Sequence, residues 1–266
     1  MYLDYWKFRE YPFENVPDPR FFYFSRSHRE ALTRLLYAAK MRKGGGMLSG
    51  EVGCGKTTLA KVCIQELPEE KFDIGLIINP KLESTDFLQE ILYQFGITDL
   101  PETKGQCLRL LNEKMLNNRH ENRETLLLID EAQLLNGETL EEIRLLLNFQ
   151  LNDRFLMTVI LLGQPELSKK IRNIEQLNQR IAIKYHVDPF TFDETAGYIF
   201  FRQKKAGREN SAFSPEAVER IYDYSKGVPR KINNLCDLSL LIGSSKNKQI
   251  IDANIVESII HDGSLF

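Results

Sequence analysis

Residues Gly50, Glu51, Val52, Gly53, Cys54, Gly55, Lys56 and Thr57 fit the pattern GxxxxGK[ST] without exception, with a second threonine, Thr58, behind them. The chemistry this run supports is the holding of nucleotide phosphates. Glycines let backbone N–H groups turn inward, the N-terminus of the following helix adds its dipole, the lysine reaches the β and γ oxygens, and the threonine hydroxyl is offered to Mg²⁺. A second run, Leu126-Leu-Leu-Ile-Asp130-Glu131, is apolar and closes on two acids. A carboxylate at the C-terminal tip of a parallel strand lies in the crevice where ligands bind. Asp130 is placed to hold Mg²⁺, and Glu131 to orient and deprotonate an attacking water. A third run, Val159 to Gly163, ends just before Gln164, whose amide suits a group that senses a γ-phosphate. The competing reading of Gln164 is a turn or capping residue. Arg180, ahead of Ile181, and Arg230, in Gly227-Val-Pro-Arg230, would neutralise charge that builds on a γ-phosphate. For a lone arginine the solvated-surface reading usually wins, so both assignments wait on the whole pattern.

These residues need elements to position them. Short apolar runs at Met47–Ser49, Phe72–Asn79, Thr125–Asp130, Phe155–Gly163 and Ile181–Val187 read as strands, with helical stretches in every gap and a helix over Thr57–Leu67. Such alternation predicts parallel βαβ units in a covered sheet, because short apolar strands leave no polar face for water. From Thr191 the strand pattern stops. Thr191 and Glu194 form a capping box, Ser214 and Pro215 an N-cap followed by an N1 proline, and Lys231–Gly243 and Asp252–His261 complete about four short helices. Three zones result: an aromatic, proline-rich lead-in over 1–30, an α/β nucleotide-binding domain over 31–189, and a small all-helical domain over 190–266.

The 266 residues carry 35 Lys plus Arg against 37 Asp plus Glu, a net charge of −2, so no global basic excess draws the chain to polyanions. No run approaches the apolar length of a membrane span, and the start MYLDYWKFREYPFE lacks a continuous apolar stretch like that of a signal peptide. A cytoplasmic location is the expectation. Cys54, Cys63, Cys107 and Cys236 are scattered, without the pairing that a disulfide framework or zinc site needs. Cys54 reads as a small residue tolerated in the loop in preference to a redox-sensitive thiol.

Taken in order, PFENVPDPRFFYFSRSHREAL, GEVGCGKTT, LLLIDEAQLL, ILLGQPEL, QRIAIKYHVDPF and GVPRKINNLCD resemble the ATPase domain of the general secretion pathway protein A (ExeA-type) family, a branch of the AAA+ ATPases. The resemblance runs from about Met1 to about Ala253. It implies a P-loop AAA+ fold that binds and hydrolyses ATP with Mg²⁺. In it Gly50–Thr57 would be Walker A, Asp130 and Glu131 Walker B, Gln164 the first sensor and Arg230 the second, with Pro12 and Phe13 over the adenine. Arg180 would be the finger that completes a neighbouring subunit's site; Arg172, eight residues upstream, is the alternative. A finger supplied in trans implies a homo-oligomer, ring or helical.

Longer members of this family continue into a transmembrane helix and a peptidoglycan-binding domain, and use ATP to support assembly of an envelope secretin; residues 1–266 contain neither segment. The resemblance thus points to an assembly factor for a secretion or pilus-like envelope system with a separate protein partner. A DNA-binding, transposition-type ATPase regulator is the alternative, and the balanced charge leans against it. A nucleotide-gated scaffold is a third reading, which the intact Glu131 disfavours.

Overall fold

The computed structural model describes residues 2–151 and 154–263, which divide into two compact units. One comprises Ser27–Gly50 and Lys56–Val187; the other comprises Met1–Arg26, Glu51–Gly55 and Asp188–Phe266.

In the first unit the strands among the described residues are β1 Gly45–Gly50, β2 Phe72–Ile77, β3 Glu124–Ile129, β4 Gln150–Leu151, β5 Arg154–Phe155, β6 Met157–Gly163 and β7 Ile181–Val187. Five of them form one parallel sheet in the order β2-β3-β6-β1-β7. These are the five read from sequence, with moved ends: β1 is longer at both ends than Met47–Ser49, β3 starts and stops one residue earlier, and β2 stops at Ile77, with Ile78 already exposed. Phe155 pairs instead with Gln150 in a two-residue antiparallel ribbon, β4–β5, that no period announces. Every residue of β1 and β6 is buried, as a parallel sheet covered on both faces requires. The helices that follow the strands supply the cover. Phe87, Leu88, Ile91 and Leu92 of the helix Ser84–Gln94, and Leu111 and Met115 of Lys104–His120, join Leu127, Ile129, Val159 and Leu161 in one core. Thr103 and Asn136 cap the helices that start at Lys104 and Gly137.

Register decides where the strand tips fall. Ser49 of β1 is level with Gly163 of β6, and Leu161 of β6 with Ile129 of β3. β3 therefore ends level with Met47, short of the ends of β6 and β1, and the residue just past it, Asp130, meets the start of the helix that follows β1.

The second unit is helical, with Phe192–Lys205, Pro215–Ser225, Pro229–Ser245 and Ala253–His261 behind the capping box and N-caps expected for them. Its core also takes up the N-terminal segment, which is not wholly irregular: Leu3–Trp6 is a single helical turn. Trp6 is 1% exposed and donates Nε1–H to the Leu240 carbonyl at 2.8 Å. Buried Arg202 donates to the carbonyls of Pro12 and Glu14 and lies 4.7 Å from the centre of the Phe21 ring. Tyr2, Trp6, Phe8, Phe13 and Phe21 are thus core material for these helices. The regular helix Arg26–Lys40 begins inside what the sequence marks as lead-in.

Gly227 shows how tightly this unit is closed. Its φ is +77°, its carbonyl accepts the Phe190 N–H at 2.9 Å, and an added Cβ would lie 1.9 Å from the Phe190 carbonyl oxygen. Gly227→Ala should lower stability by on the order of 3 kcal/mol, read as a shift in the urea unfolding midpoint. A midpoint equal to wild type would show that this turn can relax.

Candidate functional site

Five of the residues singled out from sequence meet at the strand tips of the first unit. The helix Lys56–Gln65 opens on Lys56 and Thr57, directly after the loop that leaves β1. Lys56 is buried, and its Nζ donates to the Gly50 carbonyl at 2.8 Å, which brings the ammonium back across the loop. The Thr57 hydroxyl donates to Asp130 Oδ2, joining the start of that helix to the tip of β3. Asp130 is 2% exposed. Burial pushes its carboxyl above the usual carboxylate range, while hydrogen bonds from the Thr57 hydroxyl and the Glu131 N–H pull the other way. Glu131 leaves the strand with φ +50°, a left-handed conformation that a side-chain-bearing residue adopts at a cost. Its N–H donates to Asp130 Oδ1 at 2.8 Å. Both Asp130 oxygens therefore accept a hydrogen bond, and Glu131 is turned out of the line of the strand.

Gln164 follows β6 at the N-cap position of the helix Pro165–Arg172, but its side chain makes no capping bond. Its backbone N–H is taken by Gln133 Oε1 at 3.0 Å, and Gln133 Nε2 reaches Glu131 Oε2 at 2.5 Å. Gln133 was missed from sequence; its only signal is its place two residues beyond the acidic pair.

Residues 51–55 of the loop belong to the helical unit. Within it, Gly53 has φ +85°, its carbonyl accepts the Arg230 N–H at 3.3 Å, and an added Cβ would lie 2.7 Å from Arg230 Cβ. Only glycine satisfies both the turn and this approach. Cys54 is fully buried and its N–H returns to the Glu51 carbonyl at 3.2 Å, whereas Val52 is exposed. Thr58 is half-buried in the first turn of the helix.

Arg180, Arg172, Phe13 and Pro12 make other contacts. Arg180 ends the helix Glu175–Arg180, and its Nη1 donates to the Leu147 carbonyl at 2.9 Å. It directly precedes Ile181, which is level with Gly45, whereas Val187 is level with Gly50. At ~3.3 Å per residue, Arg180 stands on the order of 17 Å or more along the sheet from the tips that carry Lys56 and Asp130. Arg172 is exposed and lines a separate cavity of about 200 Å³ with Ser49, Lys184 and His186. Phe13 is 2% exposed and packs edge-on against Phe213, 6.1 Å between ring centres, and Pro12 is buried beside it. These contacts of Phe13 lie within the helical unit.

The sequence pattern of the AAA domain matches residues 39–171. The chain belongs to the AAA domain family. As an AAA domain it is a P-loop ATPase, and nucleotide binding is the class of chemistry its site serves. It is 37% identical over 259 residues to the general secretion pathway protein A of Aeromonas hydrophila, covering 94% of this chain and 46% of that one. It is 28% identical over 146 residues to the ATP-dependent target DNA activator B of Escherichia phage Mu, covering 54% and 44%. The chain thus spans less than half the length of these two relatives. Among solved structures, the Aeropyrum pernix ORC2 protein in ADPNP–ADP complexes superposes with a TM-score of 0.68 at 19% identity, over 89% of this chain and 68% of that one. The Thermotoga maritima RuvB Holliday junction branch migration motor gives 0.57 at 22%, over 90% and 69%. These two likenesses establish the fold. No helix among the described residues is long and apolar enough to cross a membrane.

The donor set also suits the cation that a P-loop site implies. A hydroxyl and a buried carboxylate in direct contact are hard oxygen ligands, and Mg²⁺ is commonly held by one or two carboxylates together with substrate phosphates and waters. Burial makes the negative charge on Asp130 costly in the metal-free protein. An acid whose native pKa lies above its unfolded value holds its proton more tightly when folded, so wild type loses stability as pH rises from 3.8 through the raised value. Without metal or nucleotide, Asp130→Asn should therefore be more stable than wild type near neutral pH, by on the order of 1 kcal/mol, with the gap closing on acidification. Urea titrations at several pH values check this; a gap independent of pH would contradict it.

Proposed function

We propose that this AAA domain binds ATP with Mg²⁺ and hydrolyses it in an oligomer, as the motor of an assembly factor for a secretion or pilus-like envelope system. The observation that carries the hydrolytic reading is the arrangement of Thr57, Asp130 and Glu131, with a hydroxyl and a carboxylate in contact and a second carboxylate turned away beside them. Lys56 pairs with the β and γ oxygens. Thr57 and Asp130 hold Mg²⁺, which when bound neutralises phosphate charge as a Lewis acid. Glu131 orients the attacking water and accepts its proton as the water oxygen closes on the γ-phosphorus and the bond to the β-bridging oxygen breaks. Gln164 offers an amide that caps nothing in its own helix, available to the γ-phosphate. Arg230, whose N–H donates to the Gly53 carbonyl, is the second sensor.

Arg180 is the arginine supplied to a neighbouring subunit. Its position at the opposite end of the sheet supports action in trans, since a catalytic group must be held within a few ångströms of the reacting atoms. Preference for the envelope role over DNA regulation rests on the extent of similarity: 37% identity across 94% of the chain, against 28% across 54% for the phage DNA activator.

Lys56→Ala should abolish ATP binding, whereas Glu131→Gln should bind ATP like wild type and lose hydrolysis by about a hundredfold or more. Arg180→Ala should be inactive alone and regain part of its turnover when mixed with Lys56→Ala, because one interface in the mixture unites an intact pocket with an intact arginine. Steady-state phosphate release and fluorescent-nucleotide titration read these outcomes. Undiminished turnover in Glu131→Gln would remove that carboxylate from its role, and no rescue at any mixing ratio would place the working arginine elsewhere. Turnover indifferent to duplex DNA fits the envelope role; salt-sensitive stimulation by duplex DNA would overturn it in favour of the regulator.

A further inference from the structure

We propose that Gln133 is a positioning residue that fixes the Glu131 carboxylate against the segment carrying Gln164; this rests on the reading of Glu131 as the base for hydrolysis. Both ends of its amide are committed. Nε2 donates to Glu131 Oε2 at 2.5 Å, and Oε1 accepts the Gln164 N–H at 3.0 Å, so one side chain bridges the segments that leave β3 and β6.

The surroundings are shaped for this bridge. An added Cβ at Gly163 would lie 2.8 Å from Gln133 Oε1 and 2.9 Å from Leu167 Cδ2, so a residue without a side chain at the end of β6 leaves room for the amide. Gln133 sits in the 3-10 turn Ala132–Leu134. Lys170, on the helix that begins after Gln164, donates through Nζ to the Gln133 carbonyl and to the Leu135 carbonyl at 3.1 Å. The turn is held from behind while its amide holds Glu131 in front.

Three consequences follow for the chemistry. With Oε2 engaged by an amide donor, Oε1 of Glu131 is the oxygen left for a water proton. Rotation of the carboxylate about its last torsion is restrained, which keeps a long, flexible acid in one orientation. A shift of the Gln164 backbone, on the element meant to sense the γ-phosphate, passes to the base through a single side chain.

Two variants of the full chain test this. Gln133→Ala removes both bonds. Gln133→Glu keeps the shape and the acceptor for the Gln164 N–H but has no N–H for Glu131, and sets a carboxylate against it. Steady-state ATP hydrolysis gives kcat and KM, a fluorescent-nucleotide titration gives Kd, and a thermal melt checks folding. Both variants should lose about tenfold in kcat, with KM and Kd within about twofold of wild type. Lowering the pH should raise the kcat of Gln133→Glu relative to wild type, because facing carboxylates share a proton and the introduced carboxyl, once protonated, can donate again; the Gln133→Ala ratio should stay flat. If Gln133 merely supports the backbone of Gln164, Gln133→Glu will match wild type at every pH, which would overturn the proposal. A wild-type chain that does not hydrolyse ATP would instead overturn the reading of Glu131, and this inference with it.

Discussion

The bond from the Thr57 hydroxyl to Asp130 Oδ2 joins two elements far apart in sequence, the helix after β1 and the tip of β3. It forms because β6 lies between those strands with a register that sets Ser49 against Gly163 and Leu161 against Ile129. A slip of one residue would turn each strand's side chains to the other face and separate the ligands. The continuous burial of β1 and β6 makes such a slip costly, because every residue of both strands is enclosed. A hydrophobic constraint on the sheet thereby sets a polar geometry at its edge. That edge carries a cost: Asp130 is held in a site whose burial opposes its charge.

The distribution of positive groups follows the same logic. Lys56 is at the tips, and its position is inherited from the turn that precedes it. Arg180 is at the other end of the sheet because it closes the helix before β7, and β7 runs parallel to β1. A parallel edge strand thus puts the residue before it and the residue after its neighbour on opposite margins of the unit. One fold then offers a phosphate-type loop on one margin and a cationic helix end on the other, and the proposed action of Arg180 in trans draws on that separation.

The chemistry in the sequence was legible where it depends on contiguous residues. Gly50–Thr57 and Leu126–Glu131 each contain their own strand, turn and donor, so pattern and period agree on them. The capping box at Thr191 and Glu194 and the proline after Ser214 were readable for the same reason. What escaped depends on distant partners. Gln133 is unremarkable in a list of residues until the side-chain bridge to Glu131 and Gln164 is seen. The aromatics of the first 26 residues have no period, and so announce burial without naming what buries them; Trp6, Phe13 and Phe21 go to the helical core, held partly by Arg202. The β4–β5 ribbon is two residues a side, too short to carry an alternation.

The central claim is that the site at the strand tips is chemically incomplete in one copy of the chain and is completed by a second. Turnover per chain, measured over a wide range of protein concentrations at saturating ATP and Mg²⁺, tests this most directly. Specific activity should rise with concentration and level off where assembly is complete, while Arg180→Ala alone should stay inactive across the same range. Specific activity that stays constant down to concentrations where light scattering finds single chains would show that one copy suffices, and would contradict the account.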